Sequence, residues 1–150
     1  MPDNAIDMLK EDHKKVLGLL DQLVRSSDGA VKTRQDLLKQ IENELAVHTK
    51  LEEKIFYPAF KETNGKEHRK MYFEATEEHR AVEKLVLPDL KKTEPGSEKF
   101  SGRAKVLKEL VEHHAEEEEA DMFPAAKKAM KKEQLEELAV KMKELKQSLM

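Results

Sequence analysis

Four of the six histidines fall into two pairs related by one displacement: His13 and His79 stand 66 residues apart, and so do His48 and His114. The same displacement carries Glu52 onto Glu118 and Glu53 onto Glu119. It carries Glu11-Asp12-His13-Lys14 onto Glu77-Glu78-His79-Arg80, and Tyr57-Pro58-Ala59 onto Phe123-Pro124-Ala125. Val16 falls on Val82 and Leu19 on Leu85, whereas His68 and His113 have no mate. In each His-x-x-x-Glu the two side chains stack on successive helical turns and can aim a nitrogen and an oxygen at one point. These polar residues interrupt apolar stripes: Ile41, Leu45, His48, Glu52 and Ile55 share one face, and Leu107, Val111, His114 and Glu118 another. His13 extends the stripe of Ile6 and Leu9, and His79 lies between Tyr72 and Val86. A buried imidazole or carboxylate without a partner costs several kcal/mol, so four imidazoles and two carboxylates together require a cation. One divalent ion takes four to six ligands; six protein donors plus bridging solvent suit two. Sulfur-free, nitrogen-rich coordination suits iron, with manganese or zinc as substitutes. Only a carboxylate can offer one oxygen to each metal. Glu52 and Glu118 are therefore the expected bridges, with His13 and His48 on one metal and His79 and His114 on the other.

The elements that position these groups are helices. The chain has 150 residues with only 5 Gly and 5 Pro, and Leu, Lys, Glu and Ala are abundant, which favours helix throughout. Breaks at Ser26-Ser27-Asp28-Gly29, Thr63-Asn64-Gly65, Thr93-Glu94-Pro95-Gly96-Ser97 and around Pro124 to Lys131 predict five helices. They run from Ala5 to Arg25, Val31 to Lys61, Lys66 to Lys91, Glu98 to Asp121 and Glu133 to Ser148. Short links between long amphipathic helices give an all-α, up-down-up-down four-helix bundle over residues 1–126. Residues 127–150 then form an additional C-terminal helix packed on or beside it. In that helix Leu135, Leu138, Met142, Leu145 and Leu149 cover only two heptads, too few for a coiled coil. A monomer or weak homodimer is expected.

Composition narrows the function classes. Lys+Arg 28 against Asp+Glu 31 gives a net charge of −3, so neither nucleic acid nor an anionic membrane is an expected partner. The lysines 127, 128, 131 and 132 are followed at once by Glu133, Glu136 and Glu137 and read as a solvated surface. There is no cysteine, which removes disulfides, thiolate metal sites and Cys nucleophiles. The N-terminal residues carry no secretion signal and no apolar run reaches membrane-spanning length, so the expected location is cytoplasmic. No His has Glu three residues before it, unlike the Glu-x-x-His sites of ferritin-class di-iron bundles. His-Glu-x-x-His and glycine-rich phosphate loops are absent too. His113, about 100° around the helix from His114, and His68, beside a turn, are expected at the surface. Tyr57, Tyr72 and Phe123 are expected as packing aromatics, and the acidic neighbours of Glu118 as solvated.

His13, His48-Thr49-Lys50-Leu51-Glu52, His79 and His114-Ala115-Glu116-Glu117-Glu118 resemble the hemerythrin-like, or HHE cation-binding, domain over roughly the first 126 residues. The resemblance implies a four-helix bundle around two non-haem iron ions with a bridging oxo or hydroxo group. It further implies binding of O2 or a related small ligand (NO, peroxide) for sensing, storage or delivery. Hemerythrins proper carry a further histidine on the third helix, four residues from the one matched here; at the corresponding spacings this chain has Ala75 and Glu83. Glu83 is thus a candidate additional ligand, and a simple oxygen carrier loses ground to other oxygen, nitric oxide or peroxide chemistry. The alternatives are a di-iron enzyme degrading peroxide or nitric oxide, and a metal-free helical interaction module. No residue is assigned a catalytic role.

Overall fold

A computed structural model describes residues 3–63 and 65–150; Met1, Pro2 and the Asn64 of the second predicted break lie outside the described residues. The described residues fold into five long helices: α1 (Ala5–Arg25), α2 (residues 31–61), α3 (residues 65–91), α4 (residues 98–129) and α5 (Lys132–Leu149). Among the described residues there is no strand. Among them, too, no helix is long and apolar enough to cross a membrane.

Local chemistry sets the ends. The Asn4 side chain accepts a hydrogen bond from the Asp7 amide at 2.9 Å and caps α1, while Ser97 Oγ accepts one from the Phe100 amide at 3.1 Å and caps α4. Gly65 opens α3 at φ +47°, a conformation that favours glycine. Consecutive helices pack side by side and α4 returns to α1, closing the bundle, while α5 lies on α1 and α2. Its Leu135, Leu138, Ala139 and Met142 are buried there.

The predicted fourth helix stops at Asp121, but α4 continues to Ala129. Pro124 is absorbed in the way Pro58 and Pro88 are. Residues 52–56, 82–86 and 118–122 each form a wider π turn, in which the Tyr57, Leu87 and Phe123 amides reach back five residues to the carbonyls of Glu52, Val82 and Glu118. The next residue is the proline in every case. A proline lacks the N–H for the ordinary ladder and its ring crowds the carbonyl four residues back; the inserted residue relieves both and the helix goes on.

Two apolar cores fill the molecule. One gathers Ile6, Leu9, Leu51, Phe56, Phe60 and Phe123 with the buried face of α5. The other gathers Val16, Leu20, Ile41, Leu45, Val82, Leu107 and Val111. His13 falls between Leu9 and Val16, His48 between Leu45 and Leu51, His79 between Ala75 and Val82, and His114 just beyond Val111. The polar residues singled out by the repeat thus form a layer sandwiched between the cores.

Candidate metal centre

His13, His48, His79 and His114, one from each bundle helix, are all buried, as are Glu52 and Glu118. Each glutamate Oε1 lies between histidines of different helices. Glu52 Oε1 is 3.2 Å from His48 Nε2 and 3.0 Å from His79 Nε2. Glu118 Oε1 is 3.4 Å from His114 Nε2 and 3.0 Å from His13 Nε2. The two sets of contacts are related by the sequence repeat, so the duplication survives as an approximate two-fold in the site. Donor atoms of His13, His48, Glu52 and Glu118 lie within 4.8 Å of one another, and so do those of Glu52, His79 and His114.

The other ring nitrogens face outward onto a second set of carboxylates. His48 Nδ1 is 2.9 Å from Asp12 and His114 Nδ1 is 2.6 Å from Glu78. His79 Nδ1 is 2.6 Å from Glu53 and His13 Nδ1 is 2.8 Å from Glu119. These contacts obey the repeat as well, since Asp12 maps onto Glu78 and Glu53 onto Glu119. Their register under the displacement was the available signal. Charged helix residues otherwise read as solvated, as Glu119 did; its carboxylate is 40 % exposed yet engages His13.

The aromatic rings extend the symmetry and then break it. Tyr57 stacks on His79 at 5.4 Å and Phe123 on His13 at 5.8 Å between ring centres. Phe123 ends there, but Tyr57 carries a hydroxyl that donates to Glu118 Oε2 at 2.5 Å. Tyr57 is therefore both a packing aromatic, as expected, and a polar member of the site. His113 is exposed, with 63 % of its side chain accessible. His68 departs from expectation: it is buried, stacked on Phe60 at 4.3 Å and hydrogen-bonded to Thr63 Oγ1 at 2.8 Å, remote from the other histidines' shared carboxylates. Glu83 is half-buried and lines a small cavity with His79 and His114, but it belongs to neither donor group.

The hydrogen-bonding inventory of these residues fits a metal. Each Nδ1 faces a carboxylate, which only accepts, so Nδ1 carries the hydrogen and the Nε2 of a neutral ring is an acceptor. Four Nε2 atoms and two carboxylates then crowd one buried volume, into which the Tyr57 hydroxyl donates. His79 Nε2 and His114 Nε2 lie 3.1 Å apart, and His48 Nε2 and Glu52 Oε2 have no hydrogen-bond partner. That surplus of acceptors is what cations would satisfy. In the metal-free chain protons take their place. Burial disfavours the charged His48 ring, but Glu52 and Asp12 overcome it and raise its pKa to about 10. Burial likewise opposes His79, and Glu52 and Glu53 raise it to about 9. Burial also pushes the Glu52 carboxyl upward, but His48 and its other partners hold it well below the ordinary range. Tyr57 is pushed well above the ordinary phenol by burial and by Glu52 and Glu118, and stays protonated.

The model of the hemerythrin HHE cation binding domain matches residues 4–126. The chain belongs to that family. A crystal structure of a hemerythrin HHE cation-binding domain-containing protein from Mycobacterium kansasii superposes with a TM-score of 0.80 at 29 % identity, covering 97 % of this HHE chain and 88 % of that one. A curated relative from Nostoc sp. (strain PCC 7120 / SAG 25.82 / UTEX 2576), named DNA nickase, is 29 % identical over 147 residues. The match covers 97 % of the present chain and only 40 % of that protein's length.

Proposed function

We propose that this HHE domain holds two non-haem iron ions and binds O2 or NO reversibly, for sensing, storage or delivery. His13 and His48 would ligate one ion, His79 and His114 the other, and Glu52 and Glu118 would bridge them. The observation that carries the metal assignment is the acceptor surplus, with His48 Nε2 and Glu52 Oε2 buried and without a hydrogen bond among the described residues. Support for the bridges is that each glutamate lies between one histidine of each pair. Glu83 is a further candidate ligand from its position lining the cavity beside His79.

When bound, the iron pair supplies electrons and open coordination positions for a small ligand. The chain supplies the surroundings. Asp12, Glu53, Glu78 and Glu119 fix the tautomer and orientation of the four rings. A cavity of about 30 Å³ adjoins all four histidines, roofed by Val16, Leu45, Val82 and Val111. Val16 maps onto Val82 and Leu45 onto Val111, so this apolar roof is itself duplicated. A space that small and apolar suits a diatomic molecule better than one that must be hydrogen-bonded.

The second reading is an enzyme that degrades peroxide or nitric oxide, and Tyr57 favours it: its hydroxyl is a hydrogen-bond donor 2.5 Å from Glu118 inside the site, placed to stabilise charge developing on a reacting oxygen. Neither nucleic acid nor membrane is a proposed partner, since the balanced charge leaves no excess of basic groups. The proposed location is cytoplasmic. Reduced, iron-loaded protein mixed with O2, NO or H2O2 separates the readings. Reversible spectral change with one ligand per site supports binding, whereas many turnovers of peroxide or nitric oxide per chain support the enzyme. A chain that folds fully and retains no metal after purification is the interaction module.

A further inference from the structure

The repeat exposes a difference between the two sides of the centre. On the α1–α2 side, Met8, Val47, Leu51 and Ile55 form an apolar surface that packs with the buried face of α5. Their counterparts under the 66-residue displacement are Glu74, His113, Glu117 and Asp121. Four apolar residues on the covered side are thus replaced by three acids and an imidazole on the side without a covering helix. The outer carboxylates follow suit: Asp12 meets Lys146 of α5 at 3.5 Å, whereas its counterpart Glu78 faces His113 at 3.9 Å.

The α3–α4 side contains a cavity of about 90 Å³ lined by Glu74, Glu78, Glu117 and Asp121, with the buried Glu118 and Met122 also in its wall. At its edge the donor atoms of Glu78, His113 and Glu117 lie within 4.8 Å of one another, and His113 Nε2 is 2.9 Å from Glu117 Oε1. Elsewhere on the surface acids meet bases, as Asp21 does with Arg25 and Glu77 with Arg80. Among the described residues no lysine or arginine forms an ion pair with Glu74, Glu78, Glu117 or Asp121. Glu78 joins the two sites, since its Oε1 is 2.6 Å from His114 Nδ1.

We propose that His113, Glu117 and Glu78 form an outer cation site, and that divalent metal ions reach the centre from it past Glu118, while α5 seals the equivalent approach on the opposite side. The proposal rests on the two-metal reading of the centre and adds the route by which the metals arrive. Mixed imidazole and carboxylate donors suit a divalent transition metal held weakly by exposed groups. An acidic opening with low-dielectric walls concentrates cations and speeds their capture.

The test is anaerobic stopped-flow uptake of Co2+ by the full chain after removal of metal by chelation, followed by the growth of Co2+ absorption. Two variants, His113→Ala/Glu117→Gln and Glu74→Gln/Asp121→Asn, are compared with wild type and with Glu133→Gln/Glu137→Gln/Glu144→Gln, which removes charge from exposed positions of α5. Uptake should slow about tenfold in both opening variants, with two ions bound at the end point, and stay unchanged in the α5 variant. Unchanged rates in both opening variants at full occupancy overturn the entry site and leave the two-metal centre standing. Equal slowing in the α5 variant would show a general charge effect and also overturns it. A wild-type chain that binds no Co2+ overturns the centre and the route together.

Discussion

His48 shows how a single side chain ties the site together: its Nδ1 meets Asp12, its Nε2 lies beside Glu52, and that inner nitrogen has no hydrogen-bond partner. Replacing His48 with Ala should abolish bound metal or halve it and lower the melting temperature of the loaded protein, because metal binding and folding are linked. Metal analysis and thermal melts check this. Asp12→Asn should keep the fold but weaken metal affinity about 10- to 100-fold, the usual cost of losing a carboxylate behind a ligating imidazole; competition with a chelator of known strength measures it. The pH dependence of the metal-free chain has a definite sign. His48 and His79 have folded pKa values of about 10 and about 9, above the ordinary 6.5. Their stabilising effect is complete below about pH 6.5, declines as pH rises, and is gone above about pH 10. The melting temperature of the metal-free protein should therefore fall over that interval, and the gain on loading metal should widen, since loading displaces those protons. A flat profile would contradict the proton-for-metal exchange. The six inner residues were legible in the sequence because they share one displacement and interrupt apolar stripes. The outer carboxylates shared the displacement but not the stripes, and a charged helix residue reads as solvated until its partner on another helix is known.

At the scale of elements, the helix starts were legible because short Gly/Ser/Pro breaks mark them. The end of α4 was not. Proline stops most helices, and nothing local distinguishes a terminator from a proline absorbed by a π turn. The repeat held the answer, since Pro124 is the counterpart of Pro58, which the predicted second helix already ran through. The fifth helix packs on α1 and α2 through Leu135, Leu138, Ala139 and Met142. A chain ending at residue 130 would uncover Met8, Leu51 and their neighbours. Each large buried apolar side chain lost is worth roughly 1.5–3 kcal/mol. The truncated protein should unfold at markedly lower urea concentration and bind an apolar dye that the full chain does not.

Across the whole molecule, the layer of buried histidines and glutamates is clamped between two cores, and the end away from α5 is tied by the buried guanidinium of Arg34. Arg34, 1 % exposed, donates to the Ser26 and Pro95 carbonyls at 3.0 and 2.7 Å and to Ser101 Oγ at 2.8 Å, linking the α1–α2 and α3–α4 loops. Arg34→Ala leaves these acceptors without a donor and should cost about 3 kcal/mol in urea unfolding, with metal content unchanged because the centre lies beyond the second core. No pattern in the sequence marked Arg34, since two of its partners, Pro95 and Ser101, come from segments 61 and 67 residues away. The cavity roof belongs to this scale too. Val82→Phe should fill the space beside the histidines and suppress O2 or NO binding while both metals stay in place, as titration of the loaded variant would show.

The central claim is that two duplicated hairpins place four imidazoles and two carboxylates around two cations. A crystal structure of the iron-loaded protein with anomalous data at the iron edge tests it most directly. The expected result is two anomalous peaks within the His13, His48, Glu52, His79, His114 and Glu118 cluster, each beside one pair of histidines. A single peak elsewhere, or none at full iron supply, would contradict it.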